Sequence, residues 1–242
     1  MTTKHTRKSA HFCLRTPLVS LALVCLPIFA EADEIRNIEN FTGISVGGGI
    51  NLFVEQGADF KVEVDSSVGA TDEVTTVVEG DNLVIRMEKS LFHFGLMNWF
   101  ATHSVYVTLP RLESLTASGG SDVSVDGVLT GDELVLRTSG GSDIALEVDI
   151  DSLDIQSSGG SDIKLSGTTR SIVAQTSGGS DLDAMGLEAK EADLRSSGGS
   201  DIQITVTERI TANASGGSDI FYKGDPAYED VNASGGADVT HR

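Results

Sequence analysis

Ser118-Gly119-Gly120-Ser121-Asp122 is the first of seven near-identical five-residue segments. The same five residues return at 139–143, 158–162, 177–181, 197–201 and 215–219, and Ser234-Gly235-Gly236-Ala237-Asp238 repeats them with one change. Successive Asp residues stand 21, 19, 19, 20, 18 and 19 positions apart. A period this regular is the signature of a solenoid.

The flanks of each copy give the direction of every side chain. Three positions before the first Ser lies a mainly apolar column: Leu115, Leu136, Ile155, Ala174, Leu194, Ala212 and Val231. Two positions further back stand Leu134, Leu153, Ile172, Ala192 and Ile210, with Glu113 and Glu229 at the ends. Between the apolar column and the turn run Thr116, Arg137, Gln156, Gln175, Arg195, Asn213 and Asn232, and the residue just before the Ser is always small. After each Asp, Val123, Ile144, Ile163, Leu182, Ile202, Ile220 and Val239 point inward, followed two residues later by Val125, Leu146, Leu165, Ala184, Ile204, Tyr222 and finally His241. Alternation with period two is the mark of a β-strand with one buried face. Gly-Gly between the two strands allows a sharp turn with positive φ.

A unit of this length is too short for a strand, a crossover and a helix. It suits one coil of a parallel β-helix, with like residues stacked about 4.8 Å apart and the core completed only by neighbouring coils. A leucine-rich repeat would need an Asn ladder and a multi-Leu consensus, and a propeller blade about 40 residues. The expected fold is therefore an all-β, single-stranded parallel β-helix with 18–21 residues per coil. Leu187-Glu188-Ala189-Lys190-Glu191-Ala192 has good helix propensity but lies inside a repeat, and reads as a loop leading into a strand.

Before the array, Ile50, Leu52 and Val54, then Phe60, Val62 and Val64, alternate in the same way, and short strands are expected at 74–78, 83–87 and 104–109. The organisation expected is a signal peptide over 1–32, a β module with the Gly49-Ile50-Asn51 triplet over 33–112 that runs into the solenoid, and the seven-copy solenoid over 113–242. The aromatic stretch carrying Phe92, Phe94, Trp99 and Phe100 reads as an apolar lid over a solenoid end or flank, or as a contact surface.

The leader reading rests on a basic segment from Lys4 to Arg15 followed by an apolar run over 18–30, too short for a comfortable transmembrane span. Both cysteines, Cys13 and Cys25, fall within it, so the mature chain is expected to lack disulfides, thiol chemistry and a transmembrane segment. The chain carries 17 basic and 36 acidic residues, a net charge of -19. Removing residues 1–30 leaves 13 basic against 36 acidic, or -23. That balance excludes nucleic acid as a partner, because phosphate binding needs a concentrated positive surface.

Two features together carry a family resemblance: the stretch Ile44-Ser45-Val46-Gly47-Gly48-Gly49-Ile50-Asn51-Leu52-Phe53-Val54, and the succession of Leu-x-x-Ser-Gly-Gly-Ser-Asp-Ile turns. Over residues 35–242 the chain resembles the bacterial putative auto-transporter adhesin "head GIN domain" family. The resemblance implies a right-handed β-helix in an exported protein, in the periplasm or at the cell surface. It brings no catalytic set with it. Gly49-Ile50-Asn51 reads as the start of a strand, with Ile50 inward, and no translocating barrel is expected after Asp238.

The Asp column (Asp122, Asp143, Asp162, Asp181, Asp201, Asp219, Asp238) is the main candidate site. Stacked carboxylates near 5 Å apart repel by somewhat under ~1 kcal/mol per pair in a water-like medium, and cations would bridge them. The turn lacks the third Gly of the calcium β-roll and has twice its period, so weak calcium binding is the one cofactor reading left open. Ser and Asp bonding to turn backbone is the structural reading. Carbohydrate-cleaving sites need carboxylates in distinct environments, which a near-identical column does not offer. The functional expectation is a non-catalytic envelope binding or structural domain of the adhesin-head kind, with an envelope protein or an extended glycan as partner. The alternatives are a periplasmic envelope-maintenance factor and a polysaccharide-active β-helix enzyme.

Overall fold

The computed structural model describes residues 34–66, 71–88 and 102–242. The leader and the aromatic candidates Phe92, Phe94, Trp99 and Phe100 lie outside the described residues. Along the chain, β1 (Glu34–Arg36), β2 (Gly43–Gly47), β3 (Asn51–Gln56) and β4 (Lys61–Ser66) precede a single 3-10 turn, Thr71–Glu73. Next come β5 (Val74–Glu79), β6 (Asn82–Met87), β7 (His103–Leu109) and β8 (Ser114–Ser118). The regular array comprises β9 (Val123–Ser139), β10 (Ile144–Gly159), β11 (Asp162–Gly178), β12 (Asp181–Gly198) and β13 (Ile202–Gly216). It finishes in β14 (Asp219–Lys223), β15 (Tyr228–Gly235) and β16 (Asp238–His241).

The array is a parallel β-helix, as the period implies. Register follows the repeat residue by residue: Leu115 pairs with Leu136, Leu136 with Ile155, Ile155 with Ala174, Ala174 with Leu194, and Leu194 with Ala212. All of these are fully buried. Each array strand runs almost unbroken from one Gly-Gly turn to the next, so a coil has a third inward stretch beyond the two that the motif flanks define. Leu129, Val148, Ile150, Leu187, Ala189 and Val206 fill it. Residues 187–192 are thus strand within β12, not a loop. Leu187 and Ala189 face in while Glu188 and Lys190 face out, so the alternation was present in the sequence, and packing on both neighbours overrides helix propensity.

The strands before the array belong to the same stack but enter it out of chain order. β2 lies between β6 and β8, and β3 between β7 and β9, all parallel. The level built from β6 and β7 therefore sits outside the earlier level built from β2 and β3. Antiparallel strands then cover that end: β5 on β6, β4 on β7 and β1 on β4. Phe41 and Phe60 meet there with ring centroids 5.0 Å apart. At the other end β15 pairs with β13 and β16 with β14, with no described strand beyond. For that reason Val231, expected to point into the core, is 40% exposed, and Ala233 is exposed as well. His241 does continue the Tyr222 column, its ring stacked on the phenol at 4.8 Å. Burial, and the Glu229 carboxylate beside it, push the Tyr222 hydroxyl above its usual ionisation range.

The turns are held by a buried serine ladder. Ser121, Ser142, Ser161, Ser180, Ser200 and Ser218, the second Ser of each copy, are completely buried. Ser121 N–H donates to Ser142 Oγ, Ser142 N–H to Ser161 Oγ, and Ser161 N–H to Ser180 Oγ, at 3.2–3.3 Å. The hydroxyls donate in turn to the carbonyl of the first Ser of their own copy, as from Ser142 to Ser139 and from Ser200 to Ser197. The small residues before each turn add a second hydroxyl seam, with Thr138 Oγ1 donating to Ser157 Oγ at 2.7 Å and Thr176 Oγ1 to Ser196 Oγ at 3.0 Å. Buried polar groups are thereby satisfied in a strip of the core that would otherwise be costly.

From Gly159 onward the two glycines of a turn are not equivalent, only the first having a positive φ. Gly178 has φ +83°, and a Cβ there would lie 2.9 Å from the Gly159 carbonyl oxygen of the neighbouring coil. Gly179 has no positive φ and its Cβ would sit 3.6 Å from the nearest atom. Gly178→Ala is therefore expected to cost about 2 kcal/mol or more, and Gly179→Ala less than about 1 kcal/mol, read as a difference in denaturation midpoint. Equal effects would contradict the turn geometry. Ser161→Ala, which leaves the buried Ser142 N–H without its acceptor, is expected to cost about 1–3 kcal/mol, while the same change at the exposed Ser158 stays near neutral.

Candidate functional site

The Asp column does form, along the outer edge of the turns. Asp162 N–H donates to Asp143 Oδ1 at 3.3 Å, Asp201 to Asp181 at 3.0 Å, Asp219 to Asp201 at 3.0 Å and Asp238 to Asp219 at 3.1 Å. Asp181 departs from the pattern, its N–H going to the Ser161 carbonyl at 3.2 Å. Each bonded carboxylate thus accepts from the coil after it, while the hydroxyls of Ser121, Ser142, Ser161 and Ser180 accept from the coil before. The two ladders run in opposite senses on either side of the same turn. Among the described residues, no group of three or more His, Cys, Asp or Glu side chains is placed to hold a metal ion.

Gly49-Ile50-Asn51 is more than a strand start. The register pairs Gly47 with Ser118 and Leu52 with Val123, so the triplet stands where Gly120-Ser121-Asp122 stands one coil on. Gly49 and Ile50 N–H both point at Ser121 Oγ, at 3.2 and 3.3 Å. Ile50 occupies the serine column and is fully buried. Having no hydroxyl, it offers no acceptor to the level before it, and the ladder begins with its own N–H on Ser121 Oγ. Ala237, the one change in the seventh copy, occupies the same column at the other end and is also buried.

The outward polar column before each turn lies along a continuous groove. Thr116, Arg137, Gln156, Gln175, Arg195 and Asn213 are in register on successive coils, with the first Ser of each turn beside them. They line a groove of about 690 Å³. It continues at one end into about 410 Å³ bordered by Ser45, Gly47, Arg86 and Ser118, and at the other into about 150 Å³ at Asn232 and Ser234. No Asp or Glu lines any of the three. Arg195 is paired with Asp193, just outside the groove, at 3.2 Å. Arg137 has no hydrogen-bond or ion-pair partner among the described residues. The other side of the turns is its electrostatic opposite: a depression of about 560 Å³ bordered by Asp122, Asp143, Asp162, Asp181 and Asp183, with Lys164 the single cation.

A second surface feature was not singled out from the sequence. Phe53 on β3 and Tyr106 on β7 stack at 5.0 Å with 14° between their planes, and are 40% and 42% exposed. Both occupy outward positions of alternating strands, so the signal lay in the very periodicity that placed Leu52 and Val54 inside. What the sequence lacked was the pairing of β3 with β7.

This geometry is found in known proteins. The chain is similar to a putative adhesin from Bacteroides fragilis, with 22% identity and a TM-score of 0.79 over 89% of this chain and 99% of that one. It is similar to a putative adhesin from Parabacteroides merdae (19%, TM-score 0.68, 89% and 97%) and to a putative lipid binding protein from Parabacteroides distasonis (16%, TM-score 0.67, 89% and 98%). At these identities the likeness establishes the shared fold. No curated protein matches the chain. A family model does match, over residues 40–226, which takes in the Gly-Ile-Asn turn and six of the seven repeats; the chain belongs to the family described as "Putative auto-transporter adhesin, head GIN domain".

Proposed function

We propose that this protein is an exported, non-catalytic binding module of the cell envelope, of the adhesin-head kind, and that its recognition surface is the long polar groove before the turns. The observation that carries this reading is the groove itself: one polar side chain per coil, in register from Thr116 to Asn232, on a scaffold whose hydrogen bonds hold that spacing. Regular presentation along a rigid axis suits an extended ligand, since long concave or flat faces are how solenoids bind. The family name points the same way. The Asp column has a different role, with carboxylates committed to backbone N–H groups of adjacent coils.

Localisation tests the reading first. With an epitope tag after residue 32, protease added to intact cells is expected to digest the protein while sparing a periplasmic control. Recovery in the cytoplasm would overturn export. Full protection until the outer membrane is permeabilised would overturn surface adhesion and favour an envelope-maintenance role.

The Asp column is tested separately. Asp201→Ala removes the acceptor of the Asp219 N–H and is expected to lower stability by about 1 kcal/mol, with no polysaccharide cleavage by either protein. Product formation by the parent that disappears in the variant would restore the enzyme reading.

A further inference from the structure

The groove also specifies the charge of its ligand, on the reading just given that it is the binding face. Arg137 and Arg195 occupy the same outward column, separated by Gln156 and Gln175. Three coil steps of about 4.8 Å place them roughly 14 Å apart along the axis. Between them the lining offers only amide and hydroxyl groups, each able to donate and accept. Arg137 has no partner among the described residues, and a guanidinium without one is disposed to take a carboxylate in a bidentate pair.

We propose that the groove binds an extended, hydroxyl-rich glycan that carries widely spaced carboxylates, an acidic group meeting Arg137 or Arg195 and the neutral sugars lying across the Gln156 and Gln175 amides. The coil spacing is close to the length of one pyranose in an extended chain, so consecutive sugars meet equivalent side chains. Sparse charge matters because the protein carries a net charge of -19. A densely charged polyanion would be repelled by the rest of the surface, including Asp193 beside Arg195. Isolated carboxylates are held locally, inside a screening length of about 8 Å at physiological salt. A peptide ligand would want apolar or aromatic anchor pockets, and the central groove lining supplies none.

Arg137→Gln with Arg195→Gln tests this without disturbing the fold, because it extends the glutamine column already present at Gln156 and Gln175. Purified protein is titrated with hyaluronan oligosaccharides, their carboxyl-reduced counterparts, heparin, and vesicles of phosphatidylglycerol. Hyaluronan is expected to bind more tightly than the reduced chain and than heparin, with the double variant weakened about tenfold or more and Lys164→Gln unchanged. Equal hyaluronan binding by parent and double variant would overturn the assignment. Binding of the reduced chain as tightly as hyaluronan would overturn the charge inference while leaving the groove as a binding face. Absence of binding to any glycan, or arginine-dependent binding to the vesicles alone, would overturn the glycan assignment; the protease experiment judges the envelope reading independently.

Discussion

The structure depends on how a Gly-Gly turn disposes of its backbone hydrogen-bonding groups. Two β-strands meeting at a sharp corner leave N–H groups that neither strand can pair, and a buried unpaired donor costs about 1–3 kcal/mol. Here the answer is a side chain from the neighbouring coil. Ser142 Oγ takes the Ser121 N–H and Asp143 Oδ1 takes the Asp162 N–H, so each turn satisfies its own backbone only by lying in register with the next. Register and the identity of two of the five motif residues, the second Ser and the Asp, follow from that one requirement. The first Gly follows from φ and from contact with the adjacent turn.

A ladder of this kind needs two ends. A serine column that simply stopped would leave a hydroxyl or an N–H without a partner inside the core. Ile50 avoids this at one end, an apolar side chain whose own N–H is taken by Ser121 Oγ, and Ala237 is the buried apolar occupant of the column at the other. The triplet that gives the family its name thus acquires a physical meaning as the terminal, hydroxyl-free version of the repeated turn. The antiparallel strands β5, β4 and β1 cover the sheet edge nearest Ile50 and limit further pairing there. With the fold fixed at the turns and in the core, the outward columns are free to vary, and the charge contrast between the arginine-bearing groove and the acidic face is built on that freedom.

Much of this was legible in the sequence, because a solenoid writes its register directly as a period. The pairing of Leu115 with Leu136, the outward strip from Thr116 to Asn232 and the stacking of the Asp column could all be read from spacing. The errors have a common origin in treating each coil as complete. Val231 satisfies the pattern but has no coil beyond it to bury it. Residues 187–192 look helical until the strands on both sides are supplied. The out-of-order stacking of β6 and β7 beyond β2 and β3, and with it the Phe53–Tyr106 pair, depends on contacts between distant segments that no local periodicity encodes. The groove could not be seen either, since its depth and its lack of carboxylates arise only when the copies are superposed.

Native-state hydrogen exchange, resolved residue by residue by NMR, distinguishes turns held by serine hydroxyls from turns held by the strands alone. If the hydroxyl ladder holds the turns, the amides of Ser121, Ser142 and Ser161 exchange only on global unfolding, with the same free energy as core-strand amides such as Ile155 and Ala174. Exchange of those three serine amides at the rate of an open surface turn, while the strand amides stay protected, would show that the coils are held by the strands alone and would contradict the account.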